Sequence, residues 1–292
     1  MLRIVPDHWM PPGGMQRVIT HWTGGLHHAS QPDREHYHIL VEGDGGLVRG
    51  DHPIDDNAST ADQDYAAHTS RLNTGSIGIA VCCMAGAMMS PFRPGQFPMT
   101  REQYEALALA VADLCERYGI AVTPQTVLGH GEVEAILGIR QAGKWDPLVL
   151  PWDSATWDVR RTGRQVGDAF RRRVGEMLDA PGPAAPWVEQ RAPVTVIVDG
   201  QPVSDEGIIL DAGSWVPLRP IADAFRWTIL RIDQRSARIR SDRREFDVIA
   251  TIRGDRGYVR ITELTAALGW SAPAWDPARR TVRIATTSAG GG

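Results

Sequence analysis

The chain has 292 residues, enough for two domains at about 100 to 200 residues each, with 42% hydrophobic residues, 23% charged residues and a formal net charge of −4. That balance excludes a strongly basic nucleic-acid binder and a disordered chain. The longest apolar stretch, Ser76 to Met89, falls short of the roughly 20 residues that a bilayer span needs, and the first residues show no apolar core of a secretory signal. Synthesis in the cytoplasm is the expectation for localisation, with release by another factor if the chain works elsewhere. Three cysteines, Cys82, Cys83 and Cys115, cannot build a disulfide framework and are expected to behave as small buried hydrophobes.

In chain order, Arg17 to Thr20 alternates as a strand that ends at His21, and the loop Trp22-Thr-Gly-Gly follows. Tyr37 to Val41 reads as a second strand, turned by Gly43-Asp-Gly-Gly46 into Leu47 and Val48. The apolar run from Ser76 to Met84 suits a strand buried on both faces. Thr100 with Gln103 forms a capping box, and Leu107, Val111, Leu114 and Cys115 continue at helical spacing up to Gly119. Val127 and Leu128 form a short strand that ends at His130, and a basic helix spans roughly Arg164 to Leu178, with Arg171-Arg-Arg173 read as a solvated face. The expected fold of residues 1–180 is α/β, a mixed central sheet flanked by helices.

A Pro/Ala-rich linker over residues 181–193 marks the domain boundary. Beyond it, residues 194–285 repeat at an offset of 43: Val216/Val259, Leu218/Ile261, Ala224/Ala267, Trp227/Trp270 and Asp233/Asp276. Each copy reads as strand, short helix, strand, turn, strand, a smaller α+β domain built from two similar repeats, with Pro220 in the first helical turn and Thr262 as N-cap. Val216-Pro-Leu-Arg-Pro-Ile-Ala and Trp275-Asp276 resemble the stalk-type N-terminal domain of copper amine oxidases. The segment has no histidine, so no copper site is implied. Residues 286–292 form a Gly-rich tail.

All nine histidines lie between His8 and His130, and Lys144 is the only lysine among 31 basic side chains. A zinc hydrolase needs about three protein ligands and an open position for water. His21 and His130 each close a strand, and Asp146 follows through a loop, so three segments can meet at one sheet edge. Lys144, two residues before Asp146, shares its face if the segment is extended. His36 and His38, two residues apart, form a rival metal pair.

The motifs Val18-Ile-Thr-His21-Trp-Thr-Gly, His36-Tyr37-His38-Ile-Leu-Val-Glu-Gly, His68 with Asn73-Thr-Gly-Ser-Ile-Gly78, Gly129-His130-Gly-Glu and Gly143-Lys144-Trp-Asp146-Pro resemble, in order, the zinc N-acetylmuramoyl-L-alanine amidases. That group includes phage amidase lysozymes and peptidoglycan recognition proteins. The resemblance implies Zn2+ held by His21, His130 and Asp146, with Tyr37 and Lys144 at the two catalytic positions. It also implies peptidoglycan as substrate, with His68, Asn73 and Trp22 as candidate substrate contacts, and no nucleic acid, membrane or obligate protein partner. Two departures stand out: residues 134–142 read as an insertion, and Ala80 replaces a glutamate that one cytosolic branch uses in catalysis. The expected activity is endolysin-like cleavage of the bond between N-acetylmuramic acid and L-alanine. A non-catalytic peptidoglycan binder and a zinc peptidase acting within the stem peptide are the alternatives.

Overall fold

The computed structural model describes residues 4–179, 193–210, 213–233, 235–242, 244–253, 256–276 and 279–286. Most of the proposed linker and the tail from residue 287 onward lie outside the described residues. The chain divides into two compact units, residues 1–188 and 189–292.

The first unit is built on β1 (Arg17–Trp22), β2 (Ile39–Val41), β3 (Leu47–Arg49), β4 (Ser76–Val81) and β7 (Val127–Gly129), in the order β3-β2-β4-β1-β7. β2, β4, β1 and β7 pair in parallel, and β3 adds an antiparallel edge. Every residue of β4 is buried, as its uninterrupted apolar run requires. A two-stranded ribbon, β5 (Met88–Met89) and β6 (Phe92–Arg93), lies between β4 and the first long helix.

Helix α1 (Gln31–His36) was not expected. Ser30 and Asp33 close a capping box around Pro32, which suits a first turn because its missing N–H would have no partner there. Tyr37 is therefore the C-cap of α1, and β2 starts only at Ile39. Helix α2 (Arg101–Tyr118) starts at the Thr100/Gln103 box and stops at Gly119, whose φ of +65° is open to glycine at little cost. Gln103 also donates to the carbonyls of Val41 and Cys82, which ties the helix start to the sheet. After α3 (Val133–Leu137), helix α4 (Val159–Asp179) begins five residues before the expected Arg164. Asp158 accepts from the Arg161 N–H there, so the start signal is an acidic cap that the basic pattern hid. All three cysteines are buried and free, as expected.

The second unit forms a nine-stranded sheet in the order β11-β12-β13-β14-β10-β9-β8-β16-β15. Its strands are β8 (Val194–Val198), β9 (Gln201–Leu210), β10 (Gly213–Pro217), β11 (Thr228–Ile232), β12 (Ser236–Arg240), β13 (Glu245–Arg253), β14 (Arg256–Arg260), β15 (Ala274–Asp276) and β16 (Thr281–Ile284). Helices α5 (Leu218–Ala224) and α6 (Ile261–Leu268) follow β10 and β14 directly. β10 pairs antiparallel with β14, and the residues that face each other at the centre are Val216 and Val259, one from each sequence copy. Thr262 is not an N-cap: α6 begins at Ile261, with Arg260 at the cap position and no side-chain cap bond. The chain passes straight from strand to helix in both copies, which leaves no loop for a capping side chain. Trp227 and Trp270 pack with Phe225 against the apolar core. No helix among the described residues is long and apolar enough to cross a membrane.

Candidate metal centre

Side chains alternate between the two faces of a strand. Thr20 faces α2 and α4, where it lines a small cavity with Leu107, Val166 and Phe170, so His21 points to the opposite face. There it lies level with Ala80 of β4 and is fully buried. His130 directly follows β7 and opens a 3-10 turn, His130–Glu132. Asp146 comes from the loop after α3, and its carbonyl accepts from the Gly131 N–H at 2.7 Å, which joins the second and third segments. His21 Nδ1 lies 3.3 Å and His130 Nδ1 3.4 Å from the same atom, Asp146 Oδ2.

Neighbouring hydrogen-bond partners constrain what those atoms present. His68 Nε2 is 3.3 Å from the Ser76 carbonyl, which can only accept, so that nitrogen carries a proton. Burial lowers the His68 pKa well below its ordinary value, so the ring is neutral and its Nδ1 is an acceptor. That Nδ1 is 2.9 Å from the Thr69 hydroxyl and 3.2 Å from His21 Nε2, and the same hydroxyl lies 3.5 Å from His21 Nε2. Burial also lowers the His21 pKa to about 4, so its ring is neutral near pH 7, and a proton on Nε2 would leave Nδ1 able to ligate. On the other side, Gln141 donates its amide N–H to the Ser70 carbonyl, which turns Oε1 toward His130 Nε2 at 3.0 Å. His130 thus donates from Nε2, and its Nδ1 faces Asp146.

Two imidazole nitrogens and a carboxylate oxygen converge at one point. Neutral imidazoles bonded outward through Nε2 would offer both Nδ1 lone pairs to a cation at this point. The separations fit one: metal–nitrogen bonds of about 2.0–2.1 Å at tetrahedral angles place neighbouring donors about 3.3 Å apart. Burial works against the Asp146 charge, but the contacts with His130 and His21 outweigh it and hold the carboxyl well below its usual range. A donor set of two imidazoles and one carboxylate suits zinc.

Tyr37 packs against the His21 ring, with centroids 5.0 Å apart, and against the buried cluster of Ala29, Leu40, Val48, Ala80 and Cys82. Burial, reinforced by Asp146, Asp33 and Cys82, raises the Tyr37 pKa well above its usual value. Lys144 is exposed, in a turn shaped by Ala142 and Gly143 at φ of +53° and +77°, and its charge opposes protonation of His21.

Residues 11–148 match the N-acetylmuramoyl-L-alanine amidase family, Amidase_2. The match covers slightly less than half of the chain and includes His21, Tyr37, His130, Lys144 and Asp146. Among solved structures, the chain is similar to the N-acetylmuramoyl-L-alanine amidase LysC from Clostridium intestinale URNW, with 17% identity, 50% of this chain and 91% of that chain covered, and a TM-score of 0.31. It is also similar to the Staphylococcus aureus hydrolase AmiA in complex with its ligand (13%, 56% and 74%, 0.35). A third is the Ph2119 endolysin from Thermus scotoductus MAT2119 bacteriophage Ph2119 (17%, 53% and 88%, 0.32). No curated protein matches the chain.

His36 is the exposed last residue of α1, bonded to the Pro32 carbonyl, while His38 is buried and accepts from the Gly78 N–H. A helix end separates them, so they share no strand face and form no metal pair. His68 is buried beneath His21, where it holds the ligand ring. Asn73 spends its side-chain oxygen on the Thr69 N–H, which shapes the His68 loop. Trp22 is buried edge-on to Trp145, with centroids 4.7 Å apart. Among the described residues, His52, Asp56 and Asp64 also bring possible ligand atoms together, but Asp64 is largely exposed and His52 Nδ1 makes ordinary ion-pair contacts with both carboxylates.

Sequence reasoning missed Gln141, Glu132 and Arg171. Gln141 lies inside the insertion and carries no motif, yet it fixes the His130 ring. Glu132 stands in the Gly-His-Gly-Glu motif, and Arg171 is buried within the arginine run rather than solvated.

Proposed function

We propose that the first unit is a zinc-dependent N-acetylmuramoyl-L-alanine amidase, cleaving the amide between the lactyl group of N-acetylmuramic acid and the L-alanine of the peptidoglycan stem peptide. The family match supports amidase chemistry at the level of the family. The observation that carries the zinc assignment is the convergence of His21 Nδ1 and His130 Nδ1 on Asp146 Oδ2. His21, His130 and Asp146 would hold the ion, which when bound supplies Lewis acidity that polarises an amide carbonyl and makes water a competent nucleophile near neutral pH.

The remaining roles belong to the chain. Lys144 presents a compact ammonium from the exposed rim, where it stabilises negative charge on the carbonyl oxygen of the scissile amide. Tyr37 keeps its proton at physiological pH, so it acts as a hydrogen-bond donor that orients a reactant and not as a general base. His68 and Gln141 hold the two imidazoles with Nδ1 turned inward.

Mass spectrometry of purified peptidoglycan digests tests this reading. The expected products are stem peptides with free L-alanine amino ends and glycan strands left intact. Cuts between stem amino acids would instead indicate a peptidase, and an undigested wall that still retains the protein would indicate a binder.

A further inference from the structure

We propose that Glu132 and Arg171 form a positioning clamp for the ligand His130, which makes helix α4 part of the metal site although it lies outside the family-matched segment. The inference rests on the zinc assignment above. Arg171 donates from Nη1 to Glu132 Oε2 and from Nη2 to Glu132 Oε1, both at 2.9 Å, and both side chains are buried. Nη1 also donates to the Val127 carbonyl at 3.0 Å, and Nη2 to Asp168 at 2.7 Å. Glu132 Oε2 accepts from the Gly129 N–H at 2.9 Å.

These bonds bracket His130. The residue before it is held by the Glu132 carboxylate, and the residue after it, Gly131, is held by the Asp146 carbonyl. With the backbone fixed on both sides, His130 has little freedom to turn away from Asp146. Helix α4 approaches closely only because residue 167 is glycine: an added Cβ would lie 2.1 Å from Glu132 Oε1. A buried ion pair is a poor route to stability, since desolvation consumes much of its attraction. A two-pronged pair does fix direction, and orientation of metal ligands by such partners typically accounts for 10- to 100-fold in metal affinity.

The test is zinc affinity of the full chain, measured by chelator competition with zinc alone as probe, alongside the thermal midpoint of the zinc-free protein. Arg171→Met and Gly167→Ala should each raise the zinc dissociation constant about 10- to 100-fold. Val174→Ala, which removes buried packing from the same helix without touching Glu132, should lower the midpoint yet leave zinc affinity within about twofold. Arg171→Lys, which keeps the charge and loses the two-pronged contact, serves the same purpose if the methionine variant does not fold, and should also weaken zinc binding. Unchanged affinity in the Arg171 and Gly167 variants beside a zinc-binding wild type would overturn the clamp alone, as would equal weakening in Val174→Ala. A wild-type chain that takes up no zinc would overturn the metal assignment and the clamp with it.

Discussion

Acid should destabilise the zinc-free protein by an amount that the buried histidines set. Burial lowers the pKa values of His21 and His38 from 6.5 to about 4. Between those values the unfolded chain binds protons that the folded chain refuses, so stability is full above pH 6.5 and falls as pH drops toward 4. At pH 5 each histidine removes about 2 kcal/mol, or about 4 kcal/mol for the pair. His68 shifts in the same direction and adds to the loss. This is a large part of the roughly 5–15 kcal/mol that holds a typical domain. With a urea dependence of about 2 kcal/mol per molar, the unfolding midpoint should fall by about 2 M between pH 7.5 and pH 5. Because every histidine lies in the first unit, ring-proton NMR signals report that unit alone during a urea titration. His38→Gln, which cannot titrate, should remove about 2 kcal/mol of the acid loss. A midpoint that moves by less than about 0.5 M would refute the reasoning, because the rings would then be accepting protons in the folded state.

Three further outcomes are expected. His21→Ala, His130→Ala and Asp146→Ala should each lose zinc, read by elemental analysis, and wall lysis with it. Lys144→Ala should retain zinc and lose about a hundredfold or more in turnover on soluble muropeptides. Lys144→Arg keeps the charge but changes its size and shape, so wild-type turnover in that variant would show that the ammonium is dispensable. A chain ending at residue 188 should cleave soluble muropeptides at near the full-length rate, and should be slower on intact walls if the second unit tethers the enzyme to polymer.

What could be read from the sequence was local. The apolar run of β4, the capping box of α2 and the offset of 43 residues between the second unit's two copies are signals carried by neighbouring residues. The convergence of His21, His130 and Asp146 was also readable, because each ends a strand or lies in a loop aimed at one sheet edge. The partners that orient these ligands were not readable. His68 meets His21 across 47 positions, Gln141 lies in an insertion without a motif, and Arg171 reaches Glu132 from a helix whose charge pattern suggests a solvated face. Long-range pairing of this kind leaves no periodicity. The His36/His38 spacing misled for the opposite reason: two residues apart suggests a strand, but the Ser30/Asp33 capping box had already started a helix that ends at His36.

Anomalous diffraction at the zinc edge, from crystals grown with one equivalent of zinc, tests the central claim most directly. The account predicts one strong peak about 2.0–2.2 Å from His21 Nδ1, His130 Nδ1 and Asp146 Oδ2, with the two Nε2 atoms still bonded to His68 and Gln141. A peak on either Nε2 atom, a peak only at the His52, Asp56 and Asp64 cluster, or no peak in the presence of zinc would contradict it.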